Sequence, residues 1–503
     1  MMEMLSVFDY GIVIAYLLGC VGLGSAFARR QKDTRDFFLA GRRMSWLPIA
    51  LSIVAADLSA ISFMGVPAYV FTHNLMLLPG LVTLPLAVPF IIRLFVKTYY
   101  QLDLFTAYEF LERRFSYGLR ATASSLFILL RLCWLAAALY ATAIAVSQIT
   151  GLRLPVAILI LGGTTCAYTA AGGMRAVIWT DVAQFTVFTT AIFAMAGTIL
   201  KAFQGDIRMI WSLAEAGGRT TLLNLSLSFH DVTLWGVLIG YFFINLASYG
   251  VDQVILQQYL TAKDIEHSRR SLWANALVGG TIMIPLFFLG LGFFAFYAQQ
   301  GLAIEPDRVI PHFALAYLPA GLSGLVIAAI FAATMSSVSA GITSITTATL
   351  VDFYQRTLRP RAPMSHYVRA ARLIALLWGV AATLLALFVG RLGTIVEISL
   401  KTNSFFTGVL LGIFLLGLRV PRATARGTLL GAIIGMAAVS FIGGYTTISF
   451  LWYSPIGCLT TMLVGWGASV VESKSARALL STPATVPASG ESGEPVAHPH
   501  PRE

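Results

Sequence analysis

Charge is what this chain has least of. Asp, Glu, Lys and Arg make up 11% of its 503 residues, where a soluble domain carries about 25%. Apolar residues reach 57% and the mean hydropathy is +0.79. That balance excludes a water-soluble globular protein and implies one that lives in the lipid bilayer. Cysteine is scarce too. Cys20, Cys133, Cys166 and Cys458 fall inside apolar segments at unrelated spacings, which offers neither a disulfide framework nor a metal-binding pair. Walker, GxSxG and HExxH motifs are missing, so no catalytic chemistry is visible and neither an enzyme nor a resident cofactor is expected. The net charge of +11 would suit nucleic acid, but the basic residues are scattered through short loops between apolar runs. That is the pattern of topology determinants, and no nucleic-acid partner is expected.

What the chain does have is length without charge. About thirteen segments meet the roughly 20 apolar residues needed to span a bilayer. The first, near 9–28, has no basic n-region or cleavage site and is expected to stay as a helix. Alternate loops differ sharply in Lys and Arg: one set holds runs such as Arg113, Arg114, Arg120 and Arg356, Arg359, Arg361, the other only isolated residues such as Arg153, Arg208 and Arg308. The positive-inside rule puts the first set in the cytoplasm, hence the N-terminus outside and the C-terminus inside a plasma or bacterial inner membrane. An odd number of spans demands the same. Residues 1–470 read as one transmembrane domain. Residues 471–503, rich in Ser, Pro, Gly and Glu, read as a disordered cytoplasmic tail.

Two spans are interrupted, and a third is rich in hydroxyls. The second, WLPIALSIVAADLSAISFMGVPAYVF, sets Asp57 near mid-membrane among Ala55, Ala56, Ser59, Ala60 and Ser62. A carboxylate at that depth costs a few kcal/mol on insertion scales and implies function; the small residues around it let a helix unwind and bare its carbonyls. The seventh, LWGVLIGYFFINLASYGVDQVILQQYL, breaks in the same manner at Asn245, Ser248, Tyr249, Gly250 and Asp252. Two broken spans, each the first of five, point to inverted repeats over approximately 46–200 and 232–417, with a binding site at the midplane. The ninth carries TMSSVSAGITSITTAT. Its hydroxyls can bond the carbonyl one turn back, or as a cluster they can supply oxygen ligands to a small hard cation. Asp181, early in the sixth span, is either a cation or proton site or a helix-start acid. Arg131 lies deep in the fourth span, and Glu397 and Lys401, four apart in the eleventh, either pair internally or expose Lys401 to a polar cavity.

The stretches DFFLAGRRMSWLPIALSIVAADLSAISFMGVPAYVF, AYTAAGGMRAVIWTDVAQ, YGVDQVILQQYLTAKD and IFAATMSSVSAGITSITTATLVDFY together resemble the sodium/solute symporter family. Its members carry sugars, proline, sialic acids, vitamins and monocarboxylates. The resemblance implies an all-α LeuT-type fold of two inverted five-helix repeats with extra terminal helices. It implies a sodium site made by the carbonyls of Ala55, Leu58 and Ala333 with the hydroxyls of Ser336 and Ser337, and a second sodium near Asp181 and Ser339. The solute would contact Asp57, Ser59, Ser62, Arg131, Trp134, Tyr241, Asn245, Tyr249, Lys401 and Asn403. A sodium-coupled importer of a small organic solute is thus expected, with Lys401 and Arg131 favouring a carboxylate. The competing readings are a proton-coupled carrier of the same fold, and a transporter-like sensor, for which the tail after residue 470 supplies no signalling module.

Overall fold

In hydrocarbon every backbone N–H and C=O must be bonded within the chain, and helices meet that demand segment by segment. The computed structural model describes residues 5–28, 31, 33–389 and 395–481, with the side chains of 28, 389, 395–405 and 474–481 outside the description. Among the described residues all regular structure is helical, apart from one isolated bridge between Met44 and Ala262. We number the principal helices α1 (Val7–Ala28), α2 (Trp46–Asp57), α3 (Ala60–Thr72), α4 (Leu78–Gln101), α5 (Tyr117–Thr150), α6 (Leu154–Ala202), α7 (Leu234–Gly250) and α8 (Gln253–Tyr259). They are followed by α9 (Ile265–Gln299), α10 (Leu322–Leu358), α11 (Met364–Val389), α12 (Ile395–Arg419), α13 (Ala425–Tyr445) and α14 (Tyr453–Ser481).

Among the described residues nine helices are long and apolar enough to cross a membrane, and eleven spans result if each of the two bent pairs counts as one. The expected thirteen is not reproduced as such, and the difference has two sources. The spans read at 154–171 and 176–200 follow each other within α6 with no loop between them, two helices that meet at Gly173, whose backbone is not helical (φ 59°, ψ −166°). Drawn straight it would measure about 74 Å, more than twice a hydrocarbon core of about 30 Å, so the break at Gly173 is what lets the bilayer hold it. The other source is α12, whose first residues lie outside the described side chains.

The centre of the bundle is α10. Its most apolar stretch is 94% buried, and α1, α2, α5 and α6 pack around it. Gly321, before its first turn, has no side chain to cap the helix; Asp9 of α1 does so instead, its Oδ1 accepting the N–H groups of Gly321 and Gly324, each at 2.7 Å. Close crossings rest on glycine: a Cβ on Gly172 would stand 2.7 Å from the carbonyl oxygen of Gly24. Small residues allow such approach where lipid supplies no hydrophobic drive between helices.

At the end carrying the basic loops the bundle is tied shut. Asp352 of α10, fully buried, accepts from Thr106 Oγ1 (2.8 Å), Arg120 Nε (2.9 Å) and Nη2 (2.6 Å) and Ser124 Oγ (2.7 Å). Glu112 holds Arg120 at 2.7 Å and Arg356 at 2.8 Å. Gln253, first residue of α8, accepts the N–H of Ala107 at 2.9 Å and donates to the carbonyl of Phe105 at 2.8 Å.

Candidate functional site

A helix that stops in mid-membrane leaves its last carbonyls without partners. Helix α2 stops at Leu58 (φ −78°, ψ 74°), and α3 restarts after Ser59, whose Oγ accepts the N–H of Ser62 at 3.4 Å; the two halves meet at 60°. Helix α10 faces that break. Ser336 Oγ donates to the Ala55 carbonyl at 2.7 Å and lies 3.2 Å from that of Ala333. Ser337 Oγ donates to the Ala56 carbonyl at 2.7 Å and lies 3.3 Å from the same Ala333 oxygen. Five neutral oxygens thus converge in a buried spot where α2 breaks. Four of the five expected residues are brought together. Leu58 lines the neighbouring cavity, and its carbonyl is not among the oxygens the serines reach; the Ala56 carbonyl stands beside Ser337 instead, a residue the sequence marked as a small neighbour of Asp57 and not as a ligand.

A second group lies where α6 meets α2 and α10. Asp181 is fully buried in α6, with Ser52 donating to its Oδ2 at 2.6 Å and no partner on Oδ1. Gln184, one turn on, also has an Oε1 without a partner. Ser339 donates to the Ser336 carbonyl at 2.9 Å, and Tyr168 to that of Met335 at 3.0 Å; Tyr168 faces Asp181, Gln184 and Ser339. Buried oxygens without donors are costly unless something positive meets them. Ser52 and Gln184 gave a signal, a polar side chain in an apolar run, too common to single them out.

Between the two broken helices lies a cavity of about 400 Å³. Asp57, Ser59 and Ser62 line it from α2 and α3, Arg131 and Trp134 from α5, and Tyr241, Asn245 and Tyr249 from α7. All eight expected positions that fall on described side chains are there; the side chains of Lys401 and Asn403, like that of Glu397, lie outside the description. The lining continues to Leu77, Gly80 and Phe450, away from the end that Asp352 and Glu112 tie shut. Tyr249 donates to Asp57 Oδ2 at 3.0 Å and accepts from Asn275 Nδ2 at 2.9 Å. Asn245 donates to Thr83 Oγ1 at 2.9 Å. Arg131 pairs with Asp252 and lies 5.2 Å from the Trp134 ring centre. Asp252 stands between α7 and α8, which meet at 59°, and caps α8 by accepting the N–H of Val254 at 2.9 Å. Asp252 and Asn275 were not among the expected contacts, although Asp252 sits in the very break that marked the seventh span.

Residues 37–435 match the model of the sodium:solute symporter family. The chain belongs to that family. This symporter is 31% identical over 467 residues to the sodium/sialic acid symporter NanT of Aliivibrio fischeri, covering 91% of this chain and 92% of that one. It is 30% identical over 455 residues to the human sodium-coupled monocarboxylate transporter 1, covering 87% and 73%. Its structure matches the substrate-bound outward-open state of a Na⁺-coupled sialic acid symporter with a TM-score of 0.87 at 27% identity, covering 93% and 98% of the two chains. The nucleobase-cation-symport-1 transporter Mhp1, at 12% identity and a TM-score of 0.56 over 87% and 95%, shares the fold. The symporter is therefore an all-α, multi-pass, LeuT-like membrane protein, a transporter rather than an enzyme, with Na⁺ as its coupling ion.

Proposed function

We propose that the symporter couples the inward flow of Na⁺ to uptake of a small organic solute bearing a carboxylate, by alternating access. The observation that carries the sodium half is the reach of Ser336 and Ser337 across to the orphan carbonyls of Ala55 and Ala56. Neutral oxygens suit a small hard cation and bind it weakly enough to let it go. Na⁺ would be held by Ala55, Ala333, Ser336 and Ser337, with Leu58 or Ala56 completing the shell. A second Na⁺ would sit near Asp181 and Ser339, supported by the donor-free oxygens of Asp181 and Gln184.

The solute would occupy the central cavity against Asp57, Ser59, Ser62, Arg131, Trp134, Tyr241, Asn245 and Tyr249, with Lys401 and Asn403 as further candidates. A carboxylate is supported by the guanidinium of Arg131 in the cavity wall and by the substrates for which the sialic acid and monocarboxylate relatives are named. With the basic loops in the cytoplasm and the N-terminus outside, the cavity lining runs outward. Na⁺ at the break would steady the outward arrangement and complete the solute pocket, and by reciprocity the solute would tighten the ion. The inverted repeats, approximately 46–200 and 232–417, would supply the rocking parts. A tenfold Na⁺ gradient with 100 mV supplies about 3.7 kcal/mol per ion, of which a carboxylate entering against the same potential takes back about 2.3, so one Na⁺ sustains roughly tenfold accumulation and two sustain several-thousandfold.

Uptake into proteoliposomes tests this, with sialic acid, lactate, proline and glucose as probes under gradients of Na⁺, K⁺ or protons. Accumulation of a carboxylate that requires Na⁺ is expected. Accumulation driven by protons and indifferent to Na⁺ would give the site to a proton-coupled carrier; uptake of glucose alone would remove the carboxylate.

A further inference from the structure

A guanidinium in the membrane must be matched by a negative partner, because leaving it alone in a poorly hydrated wall is costly. Arg131 stands in such a wall. On one side is the central cavity, and on the other a smaller apolar recess lined by Leu126, Phe127, Leu130, Val409, Leu410 and Ile413. Its ion-pair partner is Asp252, through Oδ2, while Asp252 Oδ1 receives the N–H of Val254. The two side chains are 16% and 15% exposed, so the cavity reaches both. Arg131 spends one of its five N–H donors on that contact, and an aromatic ring, Trp134, lies alongside. The opposite wall offers a carboxylate of its own, Asp57.

From this arrangement we infer that Asp252 is the residue against which a solute carboxylate must compete for Arg131, and that it thereby sets the cavity's selectivity among anions. This rests on the carboxylate reading above. Asp252 holds the guanidinium when no other anion claims it. An arriving carboxylate meets a guanidinium already neutralised, with like charges on Asp252 and Asp57 nearby, and binds only by drawing Arg131 towards itself. A solute with strong secondary contacts in the cavity completes the exchange; a bare small anion does not. The contest also reaches the moving parts. Asp252 caps α8, and α8 is fastened by Gln253 to Phe105 and Ala107, so loss of Arg131 by Asp252 is felt at the end that opens inward.

The test is Asp252→Asn, which removes the charge and keeps an oxygen able to cap α8. Binding of sialic acid, lactate, proline and glucose is measured on the purified full-length carrier by calorimetry at saturating Na⁺. Whichever carboxylate the parent binds should bind the variant about tenfold more tightly, with Na⁺ affinity and glucose binding unchanged. In the Arg131→Gln background the same substitution should bring no gain, an outcome that a purely structural role for Asp252 does not produce. If Asp252→Asn fails to fold, Asp252→Ser, which also retains a capping oxygen, takes its place. Carboxylate affinity that stays the same or falls, in a folded variant with normal Na⁺ binding, overturns the competition and leaves the carboxylate reading standing. Absence of carboxylate binding in parent and variant alike, with Na⁺ bound by both, overturns that reading and this inference with it.

Discussion

A serine hydroxyl that donates one hydrogen bond still has lone pairs to offer, and at Ser336 and Ser337 this dual capacity separates two uses of the same side chain. Thr343, Ser344, Thr346, Thr347 and Thr349 donate to carbonyls of their own helix, three or four residues back. They satisfy their own helix, and only Thr349 also serves a neighbour, accepting the indole N–H of Trp378 at 2.9 Å. Ser336 and Ser337 donate across to another helix, which leaves their lone pairs beside the Ala333 carbonyl. Substituting Ser337 by Ala should therefore raise the Na⁺ concentration for half-maximal uptake about tenfold, the loss of about 1.4 kcal/mol, with the maximal rate little changed. The same change at Thr347 should leave Na⁺ dependence as it was; equal effects at both positions would sink the distinction. From the letters alone the nine hydroxyls looked alike, because the choice between bonding backward and reaching across depends on where α2 breaks. The part Ala56 plays as a ligand escaped notice for the same reason: it contributes a backbone oxygen, which every residue has.

At the scale of elements, interruptions were easy to read and boundaries were not. Asp57 and Asp252 announced the two broken spans because charge and small residues in an apolar run cost too much to be accidental. How tightly the two helices of α6 join was hidden, since Gly172–Gly173 reads equally as a loop or as a kink at one residue. The capping of α10 was hidden too. Gly321 at positive φ (93°) gives the start away, but the partner is Asp9, more than three hundred positions earlier in the chain. Asp9 is 2% exposed and satisfies two backbone donors, so Asp9→Ala should destabilise the symporter by about 2–4 kcal/mol by stranding them. Asp9→Asn, which keeps an acceptor, should cost less. Thermal unfolding in detergent checks the order; a parent-like midpoint for Asp9→Ala would show that water or another side chain caps α10 equally well.

Across the whole molecule, the sodium break, the solute cavity and the Asp352–Arg120–Glu112–Arg356 network make one mechanical unit, because α10 carries both the serines and Asp352. The network is the part the sequence showed least: Arg120 and Arg356 read as topology charges in basic loops, Thr106, Glu112 and Asp352 carried no signal, and only the fold brings residues 106, 112, 120, 352 and 356 together. Glu112 is the outermost link. Burial would raise its pKa, but the hydrogen bonds from Arg356 and Arg120 outweigh that and hold it below the ordinary carboxylate range. Its value in the folded state lies below that in the unfolded state, so its contribution is complete at neutral pH and is lost as pH falls through the depressed value. Glu112→Gln should reproduce that loss at pH 7. It should weaken the tie at the basic end and shift the population towards the arrangement open there, with no Na⁺ ligand touched. A cysteine placed by Ile255→Cys, on the cavity lining near that end, should then react severalfold faster with an impermeant thiol reagent applied from the side of the basic loops. Apparent Na⁺ affinity should fall by the fraction of carriers that leave the binding-competent state, and saturating Na⁺ should slow the cysteine's reaction again. A rate equal to that of the parent carrying Ile255→Cys alone, at both low and saturating Na⁺, would mean that Asp352 and Gln253 hold the end shut without Glu112.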